Sequence, residues 1–145
     1  MMACLEYEFV EGATSDLAFV ARGETPEKTF RAAAEALLAA TVEEPAAVER
    51  REQRRLALQE PDLELLLLRF LNELVYLRDA EGLLLHARRL QIARNDVARL
   101  DAELEGETIE PRRHALLAEV KAATAHGLRV AKSTAGWLAC VTLDV

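Results

Sequence analysis

Apolar residues recur at helical spacing along residues 62–82, DLELLLLRFLNELVYLRDAEG. Leu63, Leu66, Leu67, Phe70, Leu71, Leu74 and Val75 fall on one wide face, and Leu65, Leu68 and Leu77 widen it. A helix this apolar must be covered by other elements. Asp62 is placed to cap its first turn and Gly82 to stop its last, which predicts a central helix over about 62–80. Asn72 and Glu73 interrupt the apolar run. A buried carboxylate without a partner is costly, so Glu73 is expected at the helix edge or paired, with Arg69 as the candidate partner.

The rest of the chain alternates more quickly. Residues 4–9 and 17–22 read as strands around the small polar stretch Glu11-Gly12-Ala13-Thr14-Ser15-Asp16. Thr25-Pro26-Glu27 is a helix start, and Phe30, Ala33, Ala34, Leu37 and Leu38 then share one side of a helix to about Ala40. Residues 48–59 begin as VERREQRR and turn apolar. A basic nucleic-acid segment is one reading. An exposed strand whose charges protect its edge is preferred, because acids alternate with the arginines and no aromatics interleave. Residues 83–93 and 97–105 form a hairpin around Asn95-Asp96, with Ala98, Leu100, Ala102 and Leu104 on its buried side. Leu116, Leu117, Val120, Ala123 and Thr124 fit a short helix over about 112–125, stopped by Gly127, although 120–124 also reads as a strand. Residues 128–132 and 137–145 close the chain as a hairpin around Thr134-Ala135-Gly136. Strands joined by hairpins, with helices not alternating regularly, predict one α+β domain over 1–145. Its sheet is expected to be largely antiparallel, with room for barrel-like closure, and to carry two or three helices.

Composition narrows the function classes. With 51% hydrophobic residues, 145 residues can bury a sizeable core without disulfide staples. A net charge of −7 and an aromatic content of 5% argue against a nucleic-acid binder that works through its whole surface or through base stacking. Cys4 and Cys140 have no zinc spacing and are expected as free thiols, brought close only if their strands are neighbours. The first residues lack a signal-peptide pattern and no apolar run is long enough for a membrane span, so a cytoplasmic protein is expected.

Few residues offer chemistry. No GxSxG, phosphate loop or paired-histidine metal motif is present. His86 lies in a strand and reads as structural. His114 follows Arg112-Arg113 without an evident role. His126 reads as the end of the last helix, bonding its final carbonyls. Asp16 in the first turn and Asp144 at the end of the last strand are better candidates. If the first and last strands are neighbours, these carboxylates and that of Val145 converge as hard oxygen donors of the kind Ca²⁺ and Mg²⁺ prefer. A turn aspartate also caps its own backbone, and a terminal one is often only solvated.

Four blocks in order carry a family resemblance across nearly the whole chain. They are Glu11-Gly12-Ala13-Thr14-Ser15-Asp16-Leu17; Leu71-Asn72-Glu73-Leu74-Val75-Tyr76-Leu77 with Asp79 and Glu81; Glu119-Val120-Lys121-Ala122-Ala123-Thr124-Ala125-His126-Gly127; and Gly136-Trp137 followed by Val141-Thr142-Leu143-Asp144-Val145. Together they resemble the archease family. The resemblance implies a non-enzymatic protein cofactor of the RtcB-type RNA-splicing ligase, promoting its guanylylation and multiple turnover in tRNA splicing and RNA repair, with RNA met only through the ligase. It implies a divalent metal, Ca²⁺ or Mg²⁺, on Asp16, Asp144 and Val145, and it marks Glu119, Lys121 and His126 as candidate partner contacts. Ala13 and Ala125 stand where the family often has His and Tyr. Two other readings stay open: a metal-dependent phosphoester hydrolase with His126 as base, and a metal-free, chaperone-like binding module.

Overall fold

The computed structural model describes residues 6–10 and 16–145. The central helix forms where its apolar face demands it. α2 spans Leu63–Glu81; the Asp62 carboxylate accepts from the Leu65 amide at 2.9 Å, and Gly82 takes the left-handed conformation at φ 68° that a side chain would resist. Leu66, Leu67, Phe70 and Leu71 are fully buried. Leu65 instead faces outward, 40% exposed. α1 spans Pro26–Thr41, its first turn capped by the Thr25 hydroxyl, which accepts from the Lys28 amide at 3.1 Å. Phe30 of α1 stacks on Phe70 of α2 with ring centroids 6.1 Å apart.

Seven strands complete the described residues: β1 Tyr7–Val10, β2 Leu17–Gly23, β3 Glu52–Glu60, β4 Leu83–Arg94, β5 Ala98–Thr108, β6 Ala122–Ser133 and β7 Gly136–Asp144. A single 3₁₀ turn, Pro45–Ala47, follows α1. The strands form two antiparallel sheets, β1-β2-β7-β6 and β3-β5-β4. Neither closes into a barrel, so the barrel-like expectation is corrected to two open sheets. One core unites them, taking Phe19, Ala139, Val141 and Leu143 from the first sheet, Leu100 and Leu104 from the second, and the buried faces of both helices. The alternation read in residues 98–104 is observed: Ala98, Leu100, Ala102 and Leu104 are buried and the residues between them are not.

β3 is an edge strand, as its charges implied, and its arginines are held by acids: Arg54 by Glu81 at 2.7 Å, and Arg55 by Glu103 at 3.8 Å. The opposite edge of the same sheet is covered. Glu27, Arg31 and Glu35, one turn apart on α1, meet β4 through the Ile92 amide, the Arg88 carbonyl and the His86 ring. α2 covers β6 in the same manner. Glu64 accepts from the Val130 amide, Asn72 pairs with both backbone groups of Ala123, and Arg78 donates to the Val120 carbonyl. These contacts satisfy backbone groups that an edge strand leaves open. His86 is thus structural, its Nδ1 donating to Glu35 at 2.7 Å.

The helix expected over 112–125 does not form. Pro111–Arg113 is a turn, and an extended connector follows as far as Lys121. Its backbone bonds go to distant segments: the Leu117 amide to the Thr41 carbonyl, the Glu43 amide to the Ala115 carbonyl, and the Lys121 amide to the Asp144 carbonyl. Those pairings override local helical spacing. Leu116 and Leu117 are exposed, so the apparent apolar face was fortuitous. The alternative strand reading of 120–124 is closer, since β6 begins at Ala122. Glu73 is half-buried, but Arg69 pairs with Glu60 at 2.9 Å rather than with it. Cys4 and the stretch 11–15 lie outside the described residues; Cys140 is a free thiol. No helix among the described residues is long and apolar enough to cross a membrane.

Candidate metal centre

The first and last strands of the described chain, β1 and β7, are not neighbours; β2 lies between them and is the strand that pairs with β7. β2 and β7 pair antiparallel from Gly23↔Trp137 to Leu17↔Leu143. Asp16 precedes Leu17 and Asp144 follows Leu143, so the two aspartates flank the last pair of the ladder. β6 joins from the other side, with Ala122 opposite Asp144 and the Lys121 amide on the Asp144 carbonyl at 2.7 Å. Leu143 is fully buried, whereas Asp144 and Val145 are exposed and Asp16 is half-buried. Because strand residues alternate between faces, Asp144 turns away from the core. Three ends of chain meet there: the approach to β2, the end of β7 and the approach to β6.

His126 does not end a helix, contrary to what the 112–125 spacing predicted. His126 lies within β6, where the pairing jumps from Thr124↔Thr142 to Arg129↔Cys140. That irregularity pushes residues 125–127 out of the ladder; all three are exposed, and Gly127 takes φ 66°. The Thr124 hydroxyl supports the bulge, donating to the Thr142 carbonyl at 3.2 Å and accepting from the His126 amide at 3.3 Å. Glu119 and Lys121 are exposed on the connector just before β6. The structure therefore gathers Lys121 next to Asp144 through the backbone, and sets His126 further along β6.

Two features escaped the sequence reasoning. Asn72 is the only α2 side chain that grips both backbone groups of one β6 residue among the described contacts, at 2.8 and 3.0 Å to Ala123. It holds β6 one residue from Ala122, the partner of Asp144. The signal was a polar residue inside an apolar helical run, which needs a partner when buried. The second is a buried clasp remote from the aspartates. Glu107 accepts from the Glu49 amide at 2.7 Å, from Arg113, and from the His114 ring at 3.0 Å. The Glu110 amide donates to His114 Nδ1, so Nε2 carries the hydrogen that reaches Glu107. Burial alone would raise the Glu107 carboxyl; the Glu49 amide, Arg113 and His114 outweigh it and hold the group down at about 2.

Asp16 and Asp144 carry oxygen donors of the kind Ca²⁺ and Mg²⁺ prefer, and Val145 follows Asp144. Among the described residues, no three His, Cys, Asp or Glu side chains cluster as a complete ligand set. Two side-chain carboxylates and Val145 would leave positions for water or for groups from another molecule.

The fold defines a small α+β protein of two antiparallel sheets and two helices, in which the β2–β7 pairing brings Asp16 and Asp144 to the same end of the ladder. Residues 7–145 match the model of the archease protein family (MTH1598/TM1083), and the chain belongs to that family. It is 38% identical to protein archease of Thermococcus gammatolerans, over 91% of this chain and 94% of that one. It is 32% identical to protein archease of Methanosarcina mazei, over 97% and 96%. The solution structure of Methanobacterium thermoautotrophicum protein 1598 superposes with a TM-score of 0.84 at 30% identity, covering 98% of this chain and all of that one. The crystal structure of a Thermotoga maritima archease, described as a possible chaperone, shares the fold with a TM-score of 0.63 at 18% identity, covering 91% and 92%.

Proposed function

We propose that this protein is a non-catalytic activator of an RtcB-type RNA ligase in the cytoplasm, promoting ligase guanylylation and multiple turnover in tRNA splicing and RNA repair. RNA is met through the ligase. The observation that carries this reading is the Leu17↔Leu143 pairing, which sets Asp16 and Asp144 at one margin of a sheet in a chain of the archease family. Asp16, Asp144 and Val145 hold a divalent cation, Ca²⁺ or Mg²⁺, and leave part of its shell for the partner. When bound, the cation supplies a positive charge that can engage phosphate or carboxylate oxygens in the ligase. Asn72 keeps β6 in register beside Asp144, and Lys121 brings a cation to the same margin.

The test is ligation of RNA ends under conditions where the ligase alone stalls after one turnover. Wild-type protein restores multiple turnover; Asp16→Ala and Asp144→Ala lower that stimulation by about tenfold or more, and Asp144→Ala leaves the melting temperature near that of the wild type without metal. Undiminished stimulation by both variants overturns the metal reading, and phosphoester hydrolysis by the isolated protein overturns the non-catalytic one.

A further inference from the structure

The two sheets have four edge strands, β1 and β6 in one and β3 and β4 in the other. Helix side chains seal two of them. Those of α1 bond the backbone of β4, and those of α2 bond the backbone of β6. Among the described residues, no helix side chain bonds the backbone of β3. The polar contacts of α2 with this strand run between side chains, Glu81 with Arg54 and Arg69 with Glu60. β1 is four residues long, whereas β3 is nine. An open edge of that length is a template for another strand. Gln53, Arg55, Ala57 and Gln59 are exposed along it, and Arg54, Leu56, Leu58 and Glu60 alternate with them on the core side.

The sequence of β3 complements itself. Laid antiparallel on a second copy about a twofold axis through Ala57, Arg54 stands opposite the partner's Glu60, Arg55 opposite the partner's Gln59, and Leu56 opposite the partner's Leu58. Directly opposed residues share a face, so on the core side the leucine pairs lie between two arginine–glutamate pairs. Other registers lose this match. A slip one way sets Glu52 against Glu60 and Arg54 against Leu58; a slip the other way sets Leu56 against Glu60. Within one chain Arg54 already meets Glu81 at 2.7 Å, and Glu60 meets Arg69 at 2.9 Å. Each end of the paired strands is therefore a row of alternating charge, Glu81, Arg54, Glu60, Arg69, with opposite signs adjacent throughout. Residues 49–60 hold four arginines and three glutamates in a chain of net charge −7, so two copies repel each other least there.

We propose that the β3 edge is a self-recognition surface: two copies of this chain pair β3 with β3, antiparallel and centred on Ala57, and join their three-stranded sheets into one continuous sheet. The contact is the same patch on both copies, so it closes as a dimer and does not propagate. Backbone groups left open on β3 gain partners, and the half-buried Leu56 gains cover from the partner's Leu58. β2 and β7, which position Asp16 and Asp144, belong to the other sheet and take no part in the pairing. The proposal therefore stands or falls independently of the ligase reading.

The test is sedimentation equilibrium of the full chain, with melting temperatures measured alongside. The wild type is expected as a dimer at about 0.1 mM. Arg54→Glu sets acid against acid at both ends of the paired strands, and Glu60→Arg sets arginine against arginine. Each variant alone should dissociate at least about tenfold more readily than the wild type. Mixed in equal amounts, the two variants restore opposite charges at both ends and should form a heterodimer, a rescue that a folding defect would not allow. The wild type supplies a second readout without any substitution. Its β3 amides that face away from β5 should gain hydrogen-exchange protection as protein concentration rises, while those of β1 do not. A wild type that stays monomeric at about 0.1 mM, or whose β3 amides gain no protection with concentration, overturns the proposal. So does a dimer that survives both single variants, or folded variants that stay monomeric when mixed.

Discussion

At the scale of single residues, the most consequential buried charge is Glu107. Its carboxylate ties the Glu49 backbone and the turn bearing Arg113 and His114 to β5. Replacing it with alanine leaves the Glu49 amide, Arg113 and the His114 ring without their acceptor. Losing one member of such a buried set costs on the order of 3 kcal/mol at pH 7, read from urea unfolding. The pH dependence has a definite sign. The folded carboxyl, at about 2, lies below its ordinary 4.5, so its contribution is fully present above 4.5 and is lost as pH falls towards 2. The stability gap between wild type and Glu107→Ala should narrow across that window. A gap that stays constant from pH 6 to pH 3 would show that the clasp does not hold the charge. Nothing in the sequence announced this group: Glu107 lies past the strand read over 97–105, and His114 had no evident role.

At the scale of elements, each helix does two jobs. Its apolar face fills the core, and a polar stripe seals the edge of a strand. Asn72 is the sharpest case, because it replaces a neighbouring strand for Ala123. Asn72→Ala should cost about 2 kcal/mol, since two backbone groups lose partners at once. The same variant should speed hydrogen exchange at the Ala123 amide, while amides in the middle of β5 keep their protection relative to global stability. Equal relative loss at both places would argue against local pinning. The elements themselves were largely legible from the chain. Thr25-Pro26 and the Asp62–Gly82 frame marked both helices, and the 98–104 alternation marked β5, because caps and periodicity act locally. The connector 112–121 was not legible. Its backbone partners are Thr41, Glu43 and Asp144, far along the chain, and no local pattern encodes them. The β6 bulge was missed for the same reason, and with it the setting of His126. The Asp16–Asp144 neighbourhood was only conditionally legible: the residues could be named, but their meeting depended on a strand order that spacing does not state.

At the scale of the whole molecule, the sheets divide the labour. One presents a face crossed by ion pairs; the other presents a small-residue face that ends in carboxylates. The chain carries a net charge of −7, so a cation that neutralises part of the sheet margin should stabilise the folded state. Ca²⁺ or Mg²⁺ at a hundred times its dissociation constant should add about 2.7 kcal/mol, seen as a rise in melting temperature. Asp144→Asn should abolish most of that rise while changing the metal-free melting temperature little, because Asp144 is exposed. A metal-dependent shift that survives Asp144→Asn would place the cation elsewhere.

The antiparallel ladder between β2 and β7 also has a consequence for how the protein is made. Leu17 and Leu143 belong to opposite ends of the chain, and the sheet they share cannot be completed until the final strand is available. During synthesis, β2 waits with an open side while both helices and the entire second sheet emerge. Contacts of such long sequence separation slow folding and leave strand edges exposed meanwhile. Asp16 and Asp144 reach one end of the ladder only once β7 has paired with β2, so a fragment that lacks β7 carries Asp16 without its neighbour.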